Sequence, residues 1–125
     1  MNIELEHKQK KYLNYNETGV LITGSKIKSD EQFEKKSSKT GWMSLSWFIP
    51  RSEIHSFTIN RLNGHINILT PKEEGKFKKT SIKVEDANEG NNAADAMANI
   101  YGFEKTMNVE EPKWKIALEY AFYIG

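Results

Sequence analysis

The run from Trp42 to Ile59 constrains the fold of this chain more than any other stretch. In its first half two sets of side chains alternate: Met43, Leu45, Trp47 and Ile49 against Trp42, Ser44, Ser46 and Phe48. A period of two is that of a β-strand, and both faces of this strand would carry an aromatic ring. Pro50 has no N–H to donate to a sheet, so the strand is expected to end there and to be followed by a corner and a second strand.

A hairpin is predicted directly after this corner. Asn63-Gly64 lies between two alternating runs, and this dipeptide is preferred in two-residue type I′ turns. With that turn, Ile59 would oppose Ile68 across the two strands. Four apolar side chains would then share the buried face: Phe57, Ile59, Ile66 and Ile68.

Other elements are predicted with less local detail. Strands are expected at 2–6, 20–23 and 77–84, with turns at 16–19 and 71–75. Residues 24–41 are polar and rich in Lys and Ser, which is typical of a long mobile loop.

The composition changes after residue 85, where helical patterns begin. A polar connector is expected at 86–92, followed by a helix that Asn91 or Asn92 caps and Gly102 ends. A second helix is predicted over 111–124, because Pro112 suits a first helical position and an apolar stripe runs from Trp114 to Phe122. A closing strand is the alternative for this last segment.

These elements predict an α+β fold. It would have five or six antiparallel strands, in one curled sheet or a small barrel, covered by one or two C-terminal helices. A length of 125 residues is that of a single domain, here with a β-rich part at 1–84 and a helical part at 91–124.

Composition excludes several kinds of chemistry. The chain has no cysteine, so disulfides and thiolate sites are excluded. His7, His55 and His65 do not converge in the predicted register, and no spacing matches a metal or cofactor site or a catalytic motif. We therefore expect no metal, no cofactor and no enzymatic activity. A polar start and the absence of long apolar runs predict a cytoplasmic protein without membrane contact.

The charge is unevenly distributed along the chain. Residues 1–84 hold 15 basic and 9 acidic side chains, whereas residues 85–125 hold 3 basic and 8 acidic ones. Basic residues also interleave with aromatic ones, as on proteins that bind single-stranded nucleic acid. The candidate binding residues are Lys8, Lys10, Lys11, Tyr12, Lys35, Lys36, Lys39, Trp42, Phe48, Arg51, Lys78 and Lys79. In the competing interpretation the aromatics form the core and the lysines only solubilise the protein.

Residues 16–54 resemble a group of small, largely uncharacterised bacteriophage and prophage proteins. The matching segments are Asn16-Glu-Thr-Gly-Val-Leu-Ile and Ser46-Trp-Phe-Ile-Pro-Arg-Ser-Glu-Ile54. That group carries a Glu-Thr-x-x-Ala-Val-Leu strand and a Trp-Ile-Pro-Lys-Ser-x-Ile strand end. Here Gly19 departs from the usual residue, Phe48 is inserted and Arg51 replaces lysine. The resemblance implies a small β-domain among phage accessory or replication proteins.

The sequence thus predicts a non-enzymatic phage-type accessory protein that binds single-stranded DNA or RNA through a basic face. The alternative is a protein-interaction module that inhibits a host defence or replication protein, with residues 104–122 as its surface. A structural virion component is a third interpretation. A phage-encoded protein would act in the host cytoplasm, and the pattern leaves a homo-oligomer open.

Overall fold

The computed structural model describes residues 2–6, 10–38 and 46–102, together with the backbone of 108–109. Four antiparallel strands form the first sheet in chain order: Ile3–Glu4 (β1), Tyr12–Asn16 (β2), Gly19–Thr23 (β3) and Ser46–Pro50 (β4). A helix between its last two strands, Asp30–Ser37 (α1), packs on β3 and β4.

The second sheet follows the corner after Pro50. Its antiparallel strands are Ser56–Asn60 (β5), His65–Pro71 (β6) and Phe77–Ile82 (β7), and Asn108–Val109 (β8) adds a parallel strand beside β5. Before β8, the chain forms the long helix Ala87–Tyr101 (α2).

The predicted α+β class is confirmed, but the single five- or six-stranded sheet is wrong, because the described strands form two sheets and no closed barrel. The end of β4 at Pro50 is confirmed. The turn after this proline explains why the following strands form a second sheet. A short 3-10 turn at Arg51–Glu53 follows the proline and redirects the chain, so β5 pairs with β6 instead of extending the first sheet.

The main core lies between the two sheets and α2. The predicted buried face of β5 and β6 is confirmed, since all four of its apolar side chains have no solvent exposure. Apolar side chains of the first sheet meet this face, and α2 completes it with Ala93, Ala94, Met97 and Tyr101. A smaller cluster lies on the opposite face of the first sheet, where Phe33 of α1 packs against Phe48, the cross-strand partner of the buried Leu21.

The predicted register of the hairpin is wrong by two residues. Ile59 pairs with Ile66, and Asn60 with His65, so the loop has four residues, 61–64. A shift of two leaves every side chain on its predicted face. Two asparagine side chains favour the longer loop, because Asn60 Oδ1 accepts from the N–H of Leu62 and Asn63 Oδ1 accepts from that of His65.

The hairpin loop also packs on the first turns of α2. Gly64 has a φ of 72° and touches the backbone of Ala87, and a Cβ at Gly90 would collide with the carbonyl oxygen of Gly64. The side chain of Asn91 donates to the carbonyl oxygens of Arg61, at 3.1 Å, and Ala87, at 2.8 Å. This contact therefore determines both the shape of the loop and the position of the helix.

Two helical segments differ from their predictions. The polar connector is in fact the first turn of α2, because Asp86 caps it by accepting from the N–H of Glu89 at 3.1 Å. The predicted end at Gly102 is confirmed. The predicted loop over 24–41 contains α1, which Ser29 caps through the N–H of Gln32 at 3.1 Å. The predicted helix over 111–124 lies outside the described residues.

Replacing Gly64 by alanine should destabilise the protein more than the same change at Gly75. Both residues have a φ of 72°, and a side chain there costs about 1–2 kcal/mol. At Gly64 the new Cβ would also lie 2.5 Å from the carbonyl oxygen of Ala87, whereas at Gly75 no atom lies within 4 Å. Such overpacking adds about 1–3 kcal/mol, so urea denaturation should separate the two variants. Equal losses would contradict the loop–helix contact.

Candidate nucleic-acid interface

One end of the first sheet carries basic and aromatic side chains. Tyr12, at the start of β2, pairs with the last residue of β3, which in turn pairs with the first residue of β4. Lys10 and Lys11 come directly before β2 in the chain and are exposed. Lys26 comes shortly after the end of β3. The Nζ atom of Lys26 lies 5.9 Å from the centroid of the Tyr12 ring, within cation–π range.

β7 crosses the same end of the first sheet. At one edge Leu5 forms an antiparallel bridge with Val84, just after β7. At the other edge the Nζ atom of Lys78 lies 4.7 Å from the centroid of the Trp47 ring in β4. Trp47 is 47% exposed, so part of its ring is open to a ligand. We call this end of the first sheet the basic end, and its members are Lys10, Lys11, Tyr12, Lys26, Trp47 and Lys78. Tyr12 aligns with Ser46, so its side chain lies on the face of the sheet opposite to that of Trp47.

A second pair of rings lies beside the basic end. Phe77, the first residue of β7, is 46% exposed, and its ring centroid lies 4.5 Å from that of His55. Lys79, two residues further along β7, is exposed. Phe77 and Lys79 lie on the face of β7 opposite to Lys78, because successive side chains of a strand alternate between its two faces.

Sequence reasoning selected other aromatics than Trp47. Alternation puts Trp47 on the same face of β4 as Ile49, and the register confirms this, yet Ile49 is 4% exposed and Trp47 is 47% exposed. Position along the strand explains the difference, because Ile49 lies over the core while Trp47 lies near the end of the sheet that β7 crosses. Alternation in the sequence gives no signal of this exposure, because it indicates the face of a residue and not its distance from the end of the sheet.

Phe48 is not brought to the basic end. Its ring packs edge-on against Phe33 at 6.3 Å between centroids, at a cavity of about 510 Å³. Three carboxylate side chains line this acidic cavity: Glu17, Asp30 and Glu34. Lys35 and Lys36 belong to the last turn of α1, the helix that borders the acidic cavity. None of these three candidates belongs to the basic end, and Phe48 lines a cavity whose carboxylates would repel a phosphate.

The side chain and backbone of Arg51 form contacts within the folded protein. Its guanidinium donates to the carbonyl oxygen of Tyr101, at 2.8 Å, and lies 5.6 Å from the Tyr101 ring centroid. Its backbone N–H donates to Thr18, at 2.9 Å. The predicted phosphate ligand is thus turned towards the C-terminal end of α2, where a positive charge is favourable.

Arg51 and Tyr101 together form a junction between the corner after β4 and the C-terminal end of α2, and Tyr101 links this junction to β2 and β5. Its hydroxyl donates to the carbonyl oxygen of Asn16 at 2.6 Å, and its ring stacks on Phe57 with 6.0 Å between centroids. Burial raises the pKa of the Tyr101 phenol well above its ordinary value, and the charge of Arg51 offsets part of this rise. The phenol is therefore held neutral in the folded protein.

Some candidates cannot be placed. Lys8, Lys39 and Trp42 lie outside the described residues, as does His7. Within the described ranges, no group of three or more His, Asp or Glu side chains is arranged to hold a metal ion, and no helix has the length and apolarity to cross a membrane.

Comparisons of the chain with protein-family models, curated proteins and solved structures found no match.

Arg51→Met should destabilise the protein by about 1.5–3 kcal/mol, the range for hydrogen bonds to a charged group. Arg61→Met is the matched control, because Arg61 forms an exposed pair with Asp95 at 2.9 Å, and such pairs contribute about 1 kcal/mol or less. Urea denaturation of both variants measures the difference. A loss at Arg51 no larger than that at Arg61 would contradict its role in the junction.

Stability should fall as the pH rises above about 10, the ordinary pKa of tyrosine. The unfolded protein loses the Tyr101 proton there, while the folded protein keeps it because its pKa is raised, so deprotonation favours unfolding. Thermal unfolding of the wild type and Tyr101→Phe between pH 9 and about 11 tests this. The variant should show a weaker decline with pH, although Tyr15, whose pKa is also raised by burial, contributes in both proteins. Identical slopes would contradict the assignment.

Proposed function

We propose that this protein binds single-stranded nucleic acid at the basic end. The observation that carries the proposal is the half-exposed ring of Trp47 with the ammonium of Lys78 at 4.7 Å. The exposed part of a tryptophan ring can stack on any base. The adjacent ammonium groups can neutralise the phosphates of the same strand.

Stacking requires a base whose face is accessible, which favours a single strand over a duplex. Tyr12 with Lys26 repeats the arrangement of Trp47 with Lys78 on the opposite face of the first sheet. Two ring–ammonium pairs on the two faces of one sheet end suit a strand that wraps around that end. Binding of this kind needs no catalytic group, so we propose a non-enzymatic accessory role, in the host cytoplasm if the protein is of phage origin.

A protein partner is the second candidate, and one observation favours it. The acidic cavity combines three carboxylate side chains with the ring of Phe48, which suits a basic segment of another protein. It lies at the Asn16 end of β2, opposite the basic end. Binding to nucleic acid would therefore leave it accessible.

Trp47→Ala should weaken binding to single strands by about 1–3 kcal/mol, roughly 5- to 150-fold, because one stacked base is lost. Lys78→Met should reduce the slope of log K against log salt by about 0.7, the value for one phosphate contact on a single strand. Fluorescence anisotropy with labelled single- and double-stranded DNA and RNA across a salt series measures both effects.

Lys35→Met is the matched control, since it removes one exposed lysine from α1 and should leave the affinity and the slope unchanged. Melting temperatures of all variants check that folding is retained. Absence of binding by the wild type at low salt, to every nucleic acid tested, would refute the proposal. Equal effects of Lys35→Met and Lys78→Met would refute the location.

A further inference from the structure

A cavity of about 400 Å³ opens within the basic end. Five of its side chains carry the chemistry: Glu4, Lys10, Lys11, Tyr12 and Glu85. They provide an aromatic ring, two ammonium groups and two carboxylates. The carboxylates are unexpected on a surface that binds phosphates, and they need an explanation.

The two segments that carry these carboxylates, β1 and the residues after β7, are fixed beside the ring. Glu4 pairs with Tyr12 in the register of β1 and β2, so their side chains are neighbours on one face of the sheet. The N–H of Glu85 donates to the carbonyl oxygen of Glu4 at 3.0 Å, which places the segment after β7 against β1. The ring thus lies within a pocket whose walls are charged with both signs.

A carboxylate repels phosphate but accepts hydrogen bonds from a base. The Watson–Crick edge of guanine presents one acceptor, O6, followed by two donors, N1–H and N2–H. A carboxylate can accept both donors with its two oxygens, while a lysine donates to O6. Adenine and cytosine each offer one amino donor beside a ring acceptor, and thymine or uracil offers one donor between two acceptors. Among the common bases, guanine matches the mixed pocket best.

We infer that this cavity binds one unpaired guanine of a single strand. Tyr12 would stack on the base, Glu4 or Glu85 would accept from N1–H and N2–H, and Lys10 or Lys11 would donate to O6. The inference rests on the proposed function and makes it more specific. In a duplex the Watson–Crick edge is already paired, so the same contacts exclude double strands.

The test compares short oligothymidines that carry one central guanine, hypoxanthine, adenine or cytosine, and the unsubstituted oligothymidine. Hypoxanthine lacks only the N2 amino group. The guanine oligomer should bind about tenfold more tightly than oligothymidine, with hypoxanthine between them and the other two close to oligothymidine. Equal affinities for all five, or a preference for cytosine or adenine, would overturn the inference. Binding to none of them would instead overturn the proposed function.

The double variant Glu4→Gln/Glu85→Gln tests the residues. A glutamine side chain has one acceptor oxygen, so the ratio of the oligothymidine Kd to the guanine Kd should fall from about ten to about one. Glu53→Gln removes an exposed carboxylate beyond the other end of β4 and should keep the ratio. Because each ratio is taken within one protein, a change in overall affinity does not affect it. A ratio that survives in the double variant would overturn the assignment to these carboxylates.

Discussion

The backbone hydrogen bonds between β1 and the segment after β7 determine the architecture of this protein. The N–H of Glu6 donates to Lys83 at 2.9 Å and that of Glu85 donates to Glu4 at 3.0 Å, on either side of the bridge between Leu5 and Val84. These bonds join the two sheets at one edge. They also make β7 cross the end of the first sheet, which brings Lys78 to Trp47. The basic end and its cavity depend on this one connection.

The first sheet separates charge between its two ends. Lys10 and Lys11 lie with Glu4 and Glu85 where β7 crosses it, whereas the charged side chains that line the acidic cavity near the turn between β2 and β3 are all carboxylates, Glu17, Asp30 and Glu34. The formal net charge of +1 hides this separation. Such a distribution orients a protein as it approaches a polyanion, because the two ends experience opposite forces. Total charge is therefore a poor guide to what this surface attracts.

Alternation and turn chemistry were sufficient for much of the fold. They identified most of the strands, the buried face of β5 and β6, and the end of α2 at Gly102. What they missed depends on tertiary contacts. The polar composition of 86–92 favoured a connector, yet these residues belong to α2, where Gly90 allows the helix to approach Gly64 closely. The same contact and the two asparagine caps replaced the expected two-residue turn by a four-residue loop.

The helix α1 was overlooked for a different reason. Its capping signal, Ser29 followed three residues later by Gln32, is present in the sequence, but the lysine- and serine-rich composition favoured a loop. Among the candidate binding residues, the basic character of Lys10, Lys11 and Lys78 was visible in the sequence. The turn of Arg51 towards α2 was not, because its partner Tyr101 lies 50 residues away.

The position of β7 has a consequence for the solubility of the protein. Within the described sheets, β7 has a paired neighbour, β6, on one side only. An open strand edge can recruit a strand from another molecule and so begin aggregation, and lysines are a common natural protection against it. Lys76, Lys78 and Lys79 lie at or beside this edge and are exposed. Replacing several of these lysines by neutral residues would remove positive charge from the surface and would also leave the β7 edge unprotected. Such a variant should therefore aggregate more readily at high protein concentration.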